Sequence, residues 1–184
     1  MFYVLTFNLS SMSRTSYLFR TKDPEKSGWE MFRFKPLQYD ASLWIEPPEH
    51  EGGKSRFFIY GTERGRPYRV RLTELKSDFS GVVDGGKIVL ADTTDVTPAS
   101  GFGEGTQVFK RNGWYYLVNI VWPKGSCRTV VVHRSRNMDG PWEGKVAFER
   151  EGIAHFSFVD RPDGSCVSVL FGDRVAVGRI PYVL

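Results

Sequence analysis

Helical periodicity is almost absent from this chain. Short runs rich in Val, Ile, Phe and Tyr alternate instead with clusters of turn-forming residues, which is how β-strands joined by tight turns read. The runs predict strands at Phe2–Phe7, Ser16–Arg20, Ala41–Ile45, Arg56–Gly61, Tyr68–Glu74, Gly105–Lys110, Trp114–Val121, Thr129–Ser135, Phe156–Asp160, Cys166–Phe171 and Val175–Pro181. Asn112-Gly113 stands between two apolar-aromatic runs, the strongest short-range hairpin signal. Gly52-Gly53 and Asp163-Gly164 mark hairpins by the same chemistry. The strands fall into groups: a short strand, a tight turn, a more apolar strand, a second turn, and a third strand ending in polar residues. Group starts near residues 41, 105 and 156 lie about 50 to 65 residues apart. Repeats of a few antiparallel strands at roughly this period point to a β-propeller. A β-sandwich is the alternative, and it leaves the recurring group unexplained.

One ionisable residue precedes the first strand of each group: Asp40 before "ASLW", Glu104 before "GTQVF", His155 before "FSFVD". A charged group at the mouth of an apolar strand is costly unless it has a task. Each could simply cap a turn. Three at equivalent places in a repeat favour a shared site, because the first strand of a propeller blade lines the central axis. The N-terminal group differs. "FYVLTFN" and "SYLFRTKDP" read as second and third strands with no axis-lining strand ahead of them. The expectation is a chain that starts inside a blade and leaves apolar surface uncovered there, with Phe2, Tyr3 and Phe7 on the open face.

Composition narrows the classes. The chain has 184 residues, 41% hydrophobic and 15% aromatic, enough for one domain with a substantial core and against disorder. The net charge of +4 is mild and the basic residues are scattered, which argues against a nucleic-acid partner. Cys127 and Cys166 are too few for a disulfide framework and do not have metal-type spacing. No segment reaches transmembrane length, so no membrane partner is expected. The N-terminus lacks the basic start and unbroken apolar stretch of a signal peptide.

"YDASLWIE", "GEGTQVFKRNGWYYLVNIVW", "VVHRSRNMDGPWEG" and "VDRPDGSCVSVLFGDRVAVGRIPYVL" together resemble glycoside hydrolase family 43, in its β-xylosidase and α-L-arabinofuranosidase branch. The resemblance runs along nearly the whole chain, so residues 1–184 are expected to form one partial domain. It implies a five-bladed β-propeller, here incomplete at about three and a half to four blades with the first missing. It also implies an inverting glycosidase acting on pentose-containing plant polysaccharides such as xylan, arabinoxylan and arabinan. Glu104 matches the general acid and Asp40 the aspartate that tunes it. His155 matches a histidine near the axis, often beside a calcium ion, so a structural calcium is an expectation, with no cofactor required. Arg174, Trp44, Phe102, Trp122 and Phe156 are the expected sugar contacts, and xylo- or arabino-oligosaccharides the expected ligands. The family is often secreted.

Two departures stand out. The catalytic base belongs to the first blade and is expected to be absent, with Asp160 and Asp173 as the candidates to replace it. Phe156-Ser157-Phe158 stands where the family often has Gln-Gly-Gly after the histidine. The alternative function is a non-catalytic carbohydrate-binding propeller. Uncovered blade edges further predict self-association.

Overall fold

The computed structural model describes residues 1–8, 14–26, 28–63, 68–91, 96, 100–172 and 176–178. Among them there is no helix. The strands pair into four antiparallel sheets in chain order. The first holds β1 (Phe2–Asn8), β2 (Thr15–Thr21) and β3 (Glu30–Phe34). The second holds β4 (Tyr39–Glu46), β5 (Arg56–Glu63), β6 (Arg69–Leu75) and β7 (Lys87–Ala91). The third holds β8 (Ser100–Arg111), β9 (Trp114–Pro123), β10 (Thr129–Ser135) and β11 (Glu143–Glu149). The fourth holds β12 (Ile153–Asp160), β13 (Cys166–Gly172) and β14 (Ala176–Gly178). β3, β7 and β11 have no counterpart in the sequence reading. They carry mostly exposed or half-exposed positions, so their apolar signal is short and weak.

The core explains why four sheets follow one another rather than two facing each other. "FFIY" in β5 is buried on both faces. Ile59 packs with Leu18, Phe34, Leu75 and Phe79 toward the first sheet. Phe58 and Tyr60 pack with Leu117, Val121 and Val131 toward the third. The alternation repeats one sheet on, where Val118 and Ile120 of β9 turn with Val130 toward Ile153 and Phe156 of β12. A strand with both pleated faces apolar demands a sheet on each side. Each such Leu, Ile, Val or Phe contributes about 1.5–3 kcal/mol on burial.

Turn chemistry sets the hairpins. Asn112 and Gly113 both have positive φ, 51° and 75°, the paired left-handed conformation of a tight two-residue hairpin. β4, β8 and β12 follow one another on the same side of the assembly. β4 and β5 both touch β8, β8 and β9 both touch β12, and β1 touches β4.

The first sheet corrects one expectation. Tyr3 and Phe7 are not on its open face. Tyr3 packs edge-on to Phe57, with ring centroids 5.3 Å apart, and Phe7 packs on Tyr39 at 5.2 Å. The period of two puts Phe2 and Val4 opposite them, 50% and 48% exposed, with Met31 of β3 at 59%.

Candidate active site

Asp40, Glu104 and His155 come together, with one ligand atom of each lying within 4.8 Å of the others. Their strands do this by one device. The sequence reading placed the three residues ahead of their strands, whereas the strands begin earlier and all three lie inside them. In β4 and β12 the register slips once, between Tyr39 and Ser42 and between Ile153 and Phe156, and in β8 it slips twice, between Ser100 and Gly103 and again at the site between Glu104 and Gln107. Each slip sets one extra residue against the neighbouring strand, a β-bulge, which turns a side chain out of the regular alternation. Asp40 itself has φ 41° and Gly105 has φ 65°, the left-handed region that bulges use. A Cβ on Gly105 would meet Nδ1 of His155 at 3.0 Å. The glycine therefore gives the imidazole its place beside Glu104.

Buried hydroxyls and an amide support the central bulge. Asn119 of β9 donates to Oγ1 of Thr106 at 2.8 Å, and Thr106 shares a 2.6 Å hydrogen bond with Thr62 of β5. Asn119 sits fully buried, facing the slipped stretch between the Ile120 and Val118 pairings. A polar residue in "YYLVNIVW" was a readable signal, because a buried amide needs partners. Glu104 also accepts a hydrogen bond from the Tyr39 hydroxyl at 3.2 Å. The sequence reading passed over Tyr39, Thr106 and Asn119.

A cavity of about 200 Å³ opens at this end of the strands, lined by Leu5, Thr6 and Phe7 of β1 and by Gln38, Asp40, Ala41, Gly105, Thr106, Gln107 and His155. That is smaller than the roughly 300–1,000 Å³ of sites for drug-sized ligands. Its lining mixes apolar groups with amides and hydroxyls, as a small polyol with an apolar face requires.

The remaining expected contacts lie elsewhere. Trp44 is at the far end of β4. Its indole donates to Glu46 at 2.5 Å, and its ring meets Tyr115 edge-on at 5.9 Å. Phe156 is 2% exposed inside the core, so its ring offers no face to a sugar. Trp122 packs on the same core and carries the Arg128 guanidinium 4.7 Å from its ring centre. Neither borders the cavity. Phe102 lies in β8, its side chain outside the described residues, as are Arg174 and Asp173. Asp160 closes the opposite end of β12, where it pairs with Arg111 at 3.1 Å. Five residues of strand, about 16 Å, separate it from His155, too far to serve the same reacting centre.

That far end is tied by charge. Glu46 accepts from Trp44, Tyr115 and Lys110. Burial pushes its carboxyl up, yet these hydrogen bonds and the Lys110 charge outweigh burial and hold it below the usual range.

Asp40, Glu104 and His155 each offer one ligand atom close enough to share a cation. Calcium takes six to eight oxygens at about 2.3–2.6 Å. Asp40 and Glu104 supply carboxylate oxygens, but His155 brings a nitrogen.

The model of glycosyl hydrolases family 43 matches residues 10–178. A protein of Xylanibacter ruminicola named "Putative beta-xylosidase" is 32% identical over 150 residues, covering 78% of this chain and 27% of that protein. Among solved structures, a bifunctional GH43-CE protein of Bacteroides eggerthii is 39% identical with a TM-score of 0.75, covering 98% of this chain and 22% of that one. A xylan beta-1,4-xylosidase of Bacillus halodurans shares the fold at 17% identity and a TM-score of 0.66, covering 96% of this chain and 35% of that one. The chain thus spans about a quarter of the first two relatives. With this match running over most of its length, the chain belongs to glycosyl hydrolases family 43.

Proposed function

We propose that the convergent site is the acid end of a hydrolase for pentose-containing polysaccharides, xylan, arabinoxylan or arabinan, working by inversion. The observation that carries this reading is the meeting of two carboxylates beside a small polar cavity at three matched bulges. Glu104 is the general acid. Protonated, it delivers its proton to the glycosidic oxygen as the bond to the anomeric carbon breaks and the electron pair stays on that oxygen. Asp40 is its neighbour rather than the base. An inverting enzyme keeps acid and base roughly 6.5–9.5 Å apart to admit water, and Asp40 approaches Glu104 to within 4.8 Å. The sheets act as successive blades about an axis, with β4, β8 and β12 innermost.

Among the described residues Asp40 is the one carboxylate that lines the cavity, so none of them stands where the base should. Loss of a general base costs typically about 10²–10⁴-fold in rate. We therefore expect the chain alone to release 4-nitrophenol from β-xyloside and α-L-arabinofuranoside slowly or not at all. Rates equal to an intact family hydrolase would overturn this. The lack of a base among the described lining residues also favours a second reading, a sugar-binding propeller without turnover, whose mark is weak affinity for xylo-oligosaccharides with no product formed.

A further inference from the structure

We infer that Tyr39 is a positioning residue for Glu104, its hydroxyl holding carboxylate oxygen Oε2 so that Oε1 is the atom that hands over the proton. This rests on the reading of Glu104 as the acid.

In a regular strand, consecutive side chains point to opposite faces. Tyr39 and Asp40 are consecutive in β4, yet the hydroxyl of one and the carboxylate of the other both reach Glu104. The bulge that follows Tyr39 and the left-handed φ of Asp40 make this possible. The backbone is therefore bent in a way that serves both side chains. Tyr39 has little freedom to do otherwise. It is 9% exposed, its backbone pairs with Thr62, and its ring packs against Phe7 of β1.

The chemistry follows from the hydrogen-bond inventory. A phenol donates one hydrogen, and a carboxylate accepts at both oxygens. With Oε2 taking the Tyr39 hydrogen at 3.2 Å, a proton on Glu104 sits on Oε1. It passes from there to the glycosidic oxygen while the C–O pair remains on that oxygen. Water adds to the anomeric carbon and releases its proton to solvent. Glu104 is left ionised, and the Tyr39 hydroxyl stabilises that new charge. The separation is long for a bond to an ionised acceptor, and such bonds tighten when substrate closes the site.

Tyr39→Phe keeps the ring against Phe7 and removes only the donor. In the 184-residue chain labelled with ¹³C-glutamate, the Glu104 Cδ resonance is identified by its loss in Glu104→Gln. It should move in Tyr39→Phe. It should stay in place in Tyr115→Phe, which removes a hydroxyl at the far end of the strands. A Glu104 resonance that Tyr39→Phe leaves unmoved overturns the inference, whatever the chain's activity. Where turnover is measured, Tyr39→Phe should lower kcat on xylobiose roughly ten-fold, as loss of one hydrogen bond to a charged group does. KM should stay unchanged, and a nitrophenol leaving group, which needs little protonation, should suffer less. If Glu104→Gln leaves xylobiose hydrolysis intact, the acid reading itself is wrong. If Glu104→Gln is impaired while Tyr39→Phe matches wild type, only the role of Tyr39 is wrong.

Discussion

Replacing Gly105 by alanine tests whether the central bulge must be left-handed. Two costs follow from the structure, and they differ in kind. The first is conformational. Gly105 holds φ 65°, and an L-residue in that region pays about 1–2 kcal/mol. The second is contact. The new Cβ would lie 3.0 Å from Nδ1 of His155 and 3.5 Å from Cγ1 of Ile120. His155 is exposed, so its ring can swing away at little cost in stability, but it then leaves Glu104. The stability loss should therefore be close to the conformational cost alone. For a domain of this size that lowers Tm by roughly 2–8 °C, read by circular dichroism. Gly105→Asn separates the two effects, because Asn tolerates the left-handed region better than Ala. It should recover part of the Tm while still displacing His155, visible as a shifted imidazole resonance. An alanine variant as stable as wild type, with His155 unmoved, would show that the backbone at this bulge is not constrained as argued.

Three further outcomes are expected. Phe79 is 1% exposed between the rings of Phe57 and Phe32, with centroids 4.8 and 5.0 Å away, so Phe79→Ala should cost about 3–5 kcal/mol in urea unfolding; a loss under about 1 kcal/mol would mean that the first two sheets are not joined through this ring. Glu46 titrates lower when folded than unfolded, because its hydrogen bonds and Lys110 outweigh burial; its contribution is therefore present above its ordinary value and lost as pH falls through the folded one. The stability gap between wild type and Glu46→Gln should be wide at neutral pH and close in acid, and a gap independent of pH contradicts the assignment. The open face carrying Phe2, Val4 and Met31 should make the chain self-associate, with a mass by light scattering that rises with concentration and falls to monomer in a Phe2→Ser, Val4→Ser double variant; a wild-type monomer at tens of micromolar rules this out.

The β-architecture and the meeting of Asp40, Glu104 and His155 were legible because both rest on pattern. Apolar runs at turn-bounded intervals mark strands with two buried faces, and repeat-equivalent ionisable residues mark one end of them. The outer strands β3, β7 and β11 were not legible, since each is a short or half-exposed edge strand with few fully buried positions, which leaves only a weak apolar signal. Trp44 and Phe156, expected to touch sugar, lie at the far end of β4 and inside the core. Composition shows that a ring is present, but the face it occupies depends on register, and a one-residue bulge reverses that face. β4, β8 and β12 each carry such a bulge at the site. Tyr39 was invisible for the same cause: a residue adjacent to Asp40 should point away from Glu104, and only the slipped register brings it back.

The central claim is that the end of β4, β8 and β12 holding Asp40, Glu104 and His155 receives a pentose. Titrating the ¹⁵N-labelled chain with xylobiose and with arabinobiose, and following backbone amide shifts, tests it without needing turnover. The account predicts that the shifts gather at Phe7, Asp40, Ala41, Gly105 and Thr106 for at least one of the two sugars. Shifts confined to the opposite end, around Glu46, Lys110 and Tyr115, or no shifts with either sugar, would contradict it.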